Sequence, residues 1–151
     1  MKIFRDFEEI IDFAIERELD EIQFYSELIL TMESDSTKLL FRNLSVEKVF
    51  GIMRLENMKK IGVLLDIESL PDLKISGTFS EIDFTKVDLS NQAVLLMAMN
   101  KEKEKFILYQ ELANLTTDIQ CKQILKELAN QEASQKLKLE IKYDEFVLCD
   151  N

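Results

Sequence analysis

This chain contains much of itself twice, and that limits its fold more than any other feature. Ala14 to Met58 reads AIERELDEIQFYSELILTMESDSTKLLFRNLSVEKVFGIMRLENM, and Ala98 to Lys142 reads AMNKEKEKFILYQELANLTTDIQCKQILKELANQEASQKLKLEIK. The copies align without a gap at a constant offset of 84 positions, which pairs Ala14 with Ala98, Glu18 with Glu102, Tyr25 with Tyr109, Leu44 with Leu128 and Glu56 with Glu140. Each unit of a repeat must bury its apolar face against another, so the repeat dictates the architecture. Here each copy reads as a helix, a short break and a second helix. The expected fold is all-α, a four-helix bundle of two helical hairpins.

Composition agrees. Three Gly and one Pro in 151 residues, beside abundant Leu, Ile, Glu and Lys, favour helix throughout a single domain over 1–151. A net charge of −10 argues against nucleic acid, whose phosphates need a basic footprint, and against anionic membrane surfaces. With no apolar run of membrane-spanning length and no secretory pattern at the start, a cytoplasmic location is expected. Histidine is absent, which removes the commonest general base and transition-metal ligand, and with it serine–histidine and cysteine–histidine catalysis. Cys121 and Cys149 make neither a metal-binding pair nor a disulfide framework. They read as a thiol near a helix start and another in a frayed tail.

The spacing predicts helices over about 4–32, 36–62, 90–115 and 118–146. The first carries an apolar stripe through Phe7, Ile11, Ala14, Ile22, Tyr25, Ile29 and Met32, with Glu18 in its middle. Ser34, Asp35 and Ser36 offer caps for the second, whose stripe is Leu40, Phe41, Leu44, Ile52, Leu55 and Met58, interrupted by Lys48 and Gly51. Glycine within a helix costs about 1 kcal/mol relative to alanine, so Gly51 implies either a bulky neighbour or a larger ancestral residue. Residues 66–89 hold Pro71 and Gly77 without helical rhythm and read as one long crossover. Ser90 is the expected cap of the third helix, with Val94, Leu95, Ala98, Phe106, Tyr109, Leu112 and Ala113 around Glu102. Thr117 and Gln120 form a capping-box pattern for the last, which buries Leu125, Leu128, Leu139 and Phe146 beside Glu132 and Gln135. Every helix thus sets one polar residue at the same depth of an apolar face: Glu18, Lys48, Glu102 and Glu132.

This pattern resembles the ferritin-like superfamily, and within it the rubrerythrin-type di-iron carboxylate proteins. The family's first and third helices carry a glutamate seven residues before a tyrosine, matched by Glu18 before Tyr25 and Glu102 before Tyr109. Its second and fourth helices carry Glu-x-x-His, matched here in position by LFRNLSVEKVFG and ILKELANQEASQ. The resemblance covers both hairpins. It implies a carboxylate metal site that handles iron, oxygen or peroxide, with Glu18, Glu102 and Glu132 as ligands. The remaining ligand positions hold Lys48, Gly51 and Gln135, and the cysteines of a rubredoxin-like segment are missing, so the site is degenerate. Glu21 and Gln135 are weaker ligand candidates. Lys48, Gly51, Tyr25, Tyr109 and Lys105 are expected to neighbour the site.

Physical chemistry bears on that site independently of the family. Glutamates converging in an apolar interior repel one another and lose hydration, so they need compensation. Lys48 and Lys105 can supply resident countercharge. Alternatively, the carboxyls are protonated or hydrogen-bonded through Tyr25, Tyr109 and Gln135, or a cation with oxygen ligands only is held, such as manganese, magnesium, calcium or iron. A buried lysine at a ligand position both repels metal and neutralises its ligands, so the lysine reading is favoured, and the cofactor is then either a divalent metal or none. Glu21 and Lys105 are expected at helix boundaries with their tips in water. Tyr25 and Tyr109 are expected as core aromatics. Two functions follow: a rubrerythrin-like protein with a reduced metal site in which Lys48 replaces metal charge, or a redox-inactive scaffold for binding or assembly, expected as a homodimer.

Overall fold

The computed structural model describes residues 7–61 and 91–149, which form four α-helices: α1 (Phe7–Thr31), α2 (Asp35–Ile61), α3 (Asn91–Leu115) and α4 (Ile119–Cys149). The expected crossover over 66–89, the Ser90 cap and a helix start near Phe4 lie outside the described residues. The helices assemble as a four-helix bundle, with α1 packed along α2, α3 along α4, and α2 touching α4. No described helix is long and apolar enough to cross a membrane.

Capping explains where two of the helices begin. Ser34 caps α2: its hydroxyl accepts the Thr37 amide at 3.4 Å and its carbonyl the Lys38 amide at 3.0 Å. The α4 cap corrects the sequence reading. Asp118, not Thr117, closes the turn, its carboxylate accepting the Cys121 amide at 2.9 Å and its carbonyl the Lys122 amide at 2.9 Å. Aspartate is the stronger N-cap, and this register turns Cys121 and Leu125 inward. The helix then continues to Cys149, beyond the expected end at Phe146.

The core is divided lengthwise. At one end Ile11, Ala14, Leu55, Met58, Leu112 and Leu125 pack into one apolar cluster, and at the other Phe24, Phe41, Leu44, Val94, Leu95 and Leu139 form a second. The start of α1 therefore meets the end of α2, as the 2.6 Å pair of Asp12 with Lys59 on the surface also requires. The buried stripes are wider than the sequence spacing predicts. Ile10, Phe13, Leu28 and Leu108 are also buried, whereas Leu40, Ile52, Phe106 and Phe146 are only half-buried. Between the two clusters lies a layer that is not apolar.

Candidate functional site

The middle of the bundle is a charged waist. Glu18 and Glu21 of α1, Lys48 of α2, Glu102 and Lys105 of α3, and Glu132 and Gln135 of α4 are each at most 3 % exposed. The pairs Glu18/Glu21, Glu102/Lys105 and Glu132/Gln135 are spaced one helical turn apart, so each helix turns the members of its pair toward a common point. Glu18, Glu102 and Glu132 converge there with Lys48. Glu21 and Lys105 overturn the expectation that their tips reach water: both are sealed inside the cluster. Long side chains snorkel when the interior offers no partner. Here the opposing helices offer unpaired opposite charge, and the tips turn inward.

The two ammoniums organise the contacts. Lys48 Nζ lies 2.6 Å from Glu102 Oε1, 2.8 Å from Glu21 Oε2 and 3.7 Å from Glu132 Oε2, and donates to Gln135 Oε1 at 2.9 Å. Lys105 Nζ lies 2.8 Å from Glu18 Oε2, 3.0 Å from Glu132 Oε1 and 3.8 Å from Glu102 Oε2, and also contacts Glu21 Oε2 closely. Tyr25 donates to Glu102 at 2.5 Å and Tyr109 to Glu18 at 2.6 Å. The tyrosines are core aromatics, as expected, and they also tie each repeat to the other's central glutamate.

These contacts obey the repeat. Tyr25–Glu102 and Tyr109–Glu18 are one interaction seen from both copies. Lys48–Glu21 has Glu132–Lys105 as its counterpart, with the same geometry and opposite polarity. Equivalent positions also face each other, Lys48 against Glu132 at 3.7 Å and Glu21 against Lys105, and the charge reversal makes both contacts attractive. Identical copies would have set like charges against each other in both.

Protonation follows from these surroundings. Burial works to raise the Glu18 and Glu102 carboxyls, but Lys105 and Lys48 overcome it and hold both below the ordinary carboxylate range. For Glu132, burial and the neighbouring Glu102 win, and its carboxyl is pushed well up; Glu21 is raised for the same two reasons. Glu102 Oε2 and Glu132 Oε2 are both buried without a hydrogen-bond donor, with Lys105 Nζ 3.8 Å from the first and Lys48 Nζ 3.7 Å from the second. The charge on Glu102 is among the causes that raise Glu132, so the two carboxyls titrate as a unit. Burial opposes charge on Lys48 and Lys105, yet the surrounding glutamates, Glu102 first, raise both well above ordinary lysine. Tyr25 and Tyr109 are raised by burial and by Glu102 and Glu18 respectively, so both remain phenols.

Glu21, Glu102 and Glu132 present carboxylate oxygens within 4.8 Å of one another, a spacing suited to an ion. The ammoniums of Lys48 and Lys105 already contact all three of these groups. The donor set therefore does not fit a metal pair as it stands. It fits two ammoniums.

Gly51 and Glu47 complete the surroundings. A Cβ added at Gly51 would stand 3.5 Å from Leu128 Cδ2, an ordinary contact, so crowding does not require the glycine. Glu47 was not apparent in the sequence. Its carboxylate accepts Gln135 Nε2 at 2.8 Å and pairs with Lys138 at 3.1 Å, which links Lys48 through Gln135 to the surface. Its repeat equivalent, Gln131, donates to the Glu47 carbonyl at 3.3 Å, a contact between equivalent positions that spacing alone does not reveal. Cys121 is buried, and burial with Asp118 pushes its thiol up to about 11, so it is unreactive.

No family model, curated protein or solved structure matches the chain.

Proposed function

We propose that this is a ferritin-like bundle of the rubrerythrin type in which lysine ammoniums hold the positions of metal charge, serving as a redox-inactive scaffold for binding or assembly. The observation that carries this reading is that Lys48 and Lys105 enter the same set of carboxylates from two helices. An ammonium gives countercharge without redox chemistry, and it uses the oxygen lone pairs that a metal would need. The two-hairpin topology with one long crossover belongs to this proposal. The repeat supports it, because the end of α2 and the start of α3 must be joined along the length of the bundle.

Elemental analysis of protein purified from iron- or manganese-supplemented medium tests the reading. Metal at background level is expected. Stoichiometric metal that is lost in Glu102→Ala would overturn the scaffold reading in favour of a reduced metal site. In the other direction, Lys48→Glu combined with Gly51→His should raise iron affinity, since it removes the repelling cation and adds two ligands. Unchanged affinity would count against the proposed ancestry of α2.

A further inference from the structure

The two halves of the chain, α1 with α2 and α3 with α4, meet about an approximate two-fold axis. Where such an axis passes, a residue faces its own equivalent. Three contacts have that character: Lys48 with Glu132 at 3.7 Å, Glu21 with Lys105, and Gln131 Nε2 donating to the Glu47 carbonyl at 3.3 Å. A residue that faces its equivalent cannot carry the same charge in both copies without repulsion.

The signs follow that geometry. Glu18 and Glu102 keep their charge from one copy to the other, and each is served from the opposite half, Glu18 by Tyr109 and Lys105, Glu102 by Tyr25 and Lys48. At the positions that face themselves the copies differ: acid and base at 21 and 105, base and acid at 48 and 132, acid and amide at 47 and 131. Countercharge alone does not require this. Lysines at both 48 and 132 would give the same count, yet would point two ammoniums at each other.

We infer that the sign reversal is a pairing code between the halves. The inner face of the α1–α2 half fits a face of opposite polarity, which the α3–α4 half supplies, and rejects a face like its own. The same half of a second copy would set Lys48 against Lys48 and Glu21 against Glu21 in a water-excluded layer. The code directs the chain to close on itself, and it does not depend on ferritin-like ancestry.

Full-length charge swaps test the code, since each keeps the net charge of −10. Glu21→Lys with Lys48→Glu reverses the first half alone, and Lys105→Glu with Glu132→Lys the second alone. Either swap keeps the ion pair within its own half attractive and sets like charges against each other between the halves. Each is expected to lower the urea midpoint by about 1–2 M or to leave the chain without helical circular dichroism in water. All four changes together exchange the roles of the halves. The ammoniums then enter at 21 and 132, which already lie among the required acids: beyond burial, Glu102 acts to raise Glu21, and Glu102 with Glu18 to raise Glu132. The fourfold variant should recover most of the loss. It should fall short of the wild type, because the 2.9 Å bond from Lys48 to Gln135 has only Gly51 at the equivalent position. Half swaps as stable as the wild type would overturn the code, since charge count alone would then suffice. A fourfold variant no more stable than the half swaps would overturn it as well.

Discussion

The apolar ends of the bundle and its charged waist are equally buried, but they are held together by different physics. At the ends, Leu55, Leu112 and Leu125 contribute through area removed from water, and each contact is largely independent of its neighbours. In the waist no side chain is favourable alone. Lys48 needs Glu102 and Glu21, and Lys105 needs Glu18 and Glu132. The ends resemble the core of any helical protein. The waist stands or falls as a unit, and that difference can be measured.

Removing one cation should produce the largest effect. Lys48→Met or Lys105→Met leaves buried carboxylates without countercharge and should destabilise the fold by about 3–5 kcal/mol at neutral pH, read by urea denaturation. Near pH 4 the deficit should shrink, because the orphaned carboxyls then take up protons. Loss below about 1 kcal/mol would place that lysine in water.

An end-core truncation provides the contrast. Leu128→Ala, in the cluster beside Gly51, should cost about 2–5 kcal/mol, with a deficit that stays the same across pH because no charge is involved. A pH-dependent deficit at Leu128 would blur the distinction between the regions.

Stability against pH sharpens the comparison further. Glu18 and Glu102 have depressed folded values, so their contribution is present above ordinary carboxyl values near 4 and is lost as pH falls below them. Glu21 and Glu132 are raised, so their contribution is greatest in acid and declines as pH rises through their folded values. Lys48, Lys105, Tyr25 and Tyr109 are all raised, and their contribution is full below about pH 10 and lost above it as the unfolded chain releases protons that the fold retains. A steep alkaline unfolding limb is expected. Tyr109→Phe should make that limb shallower and cost about 1–3 kcal/mol at neutral pH by removing the donor to Glu18.

The sequence made the depth of the waist legible, because the repeat aligned Glu18 with Glu102 and Lys48 with Glu132 on faces that were otherwise apolar. It did not show that Glu21 and Lys105 belong there. Periodicity reports the face on which a side chain leaves its helix, but a residue one turn from Glu18 sits near a boundary from which a long chain can reach either solvent or centre. What decides is the charge on the opposing helices. That information lay in the repeat itself, since Glu21 and Lys105 are equivalent positions of opposite sign, like Lys48 and Glu132. Glu47 was hidden for another reason: its partner Gln135 comes from a different helix, at a distance that no local pattern encodes.

The smallest expected effect lies at the border between the two regions. Gly51→Ala meets only ordinary contact with Leu128 and should stabilise α2 by about 0.5–1 kcal/mol, read as a raised urea midpoint. A loss would show that the glycine serves packing after all.

Two ammonium groups lie sealed among carboxylates at the centre of the bundle, and nitrogen NMR of the lysine side chains observes them directly. Lys48 and Lys105 should show slowly exchanging ammonium protons and stay charged while the exposed lysines titrate near pH 10.4. If both titrate with the exposed set and their protons exchange as fast, the waist is open to water and the account is contradicted.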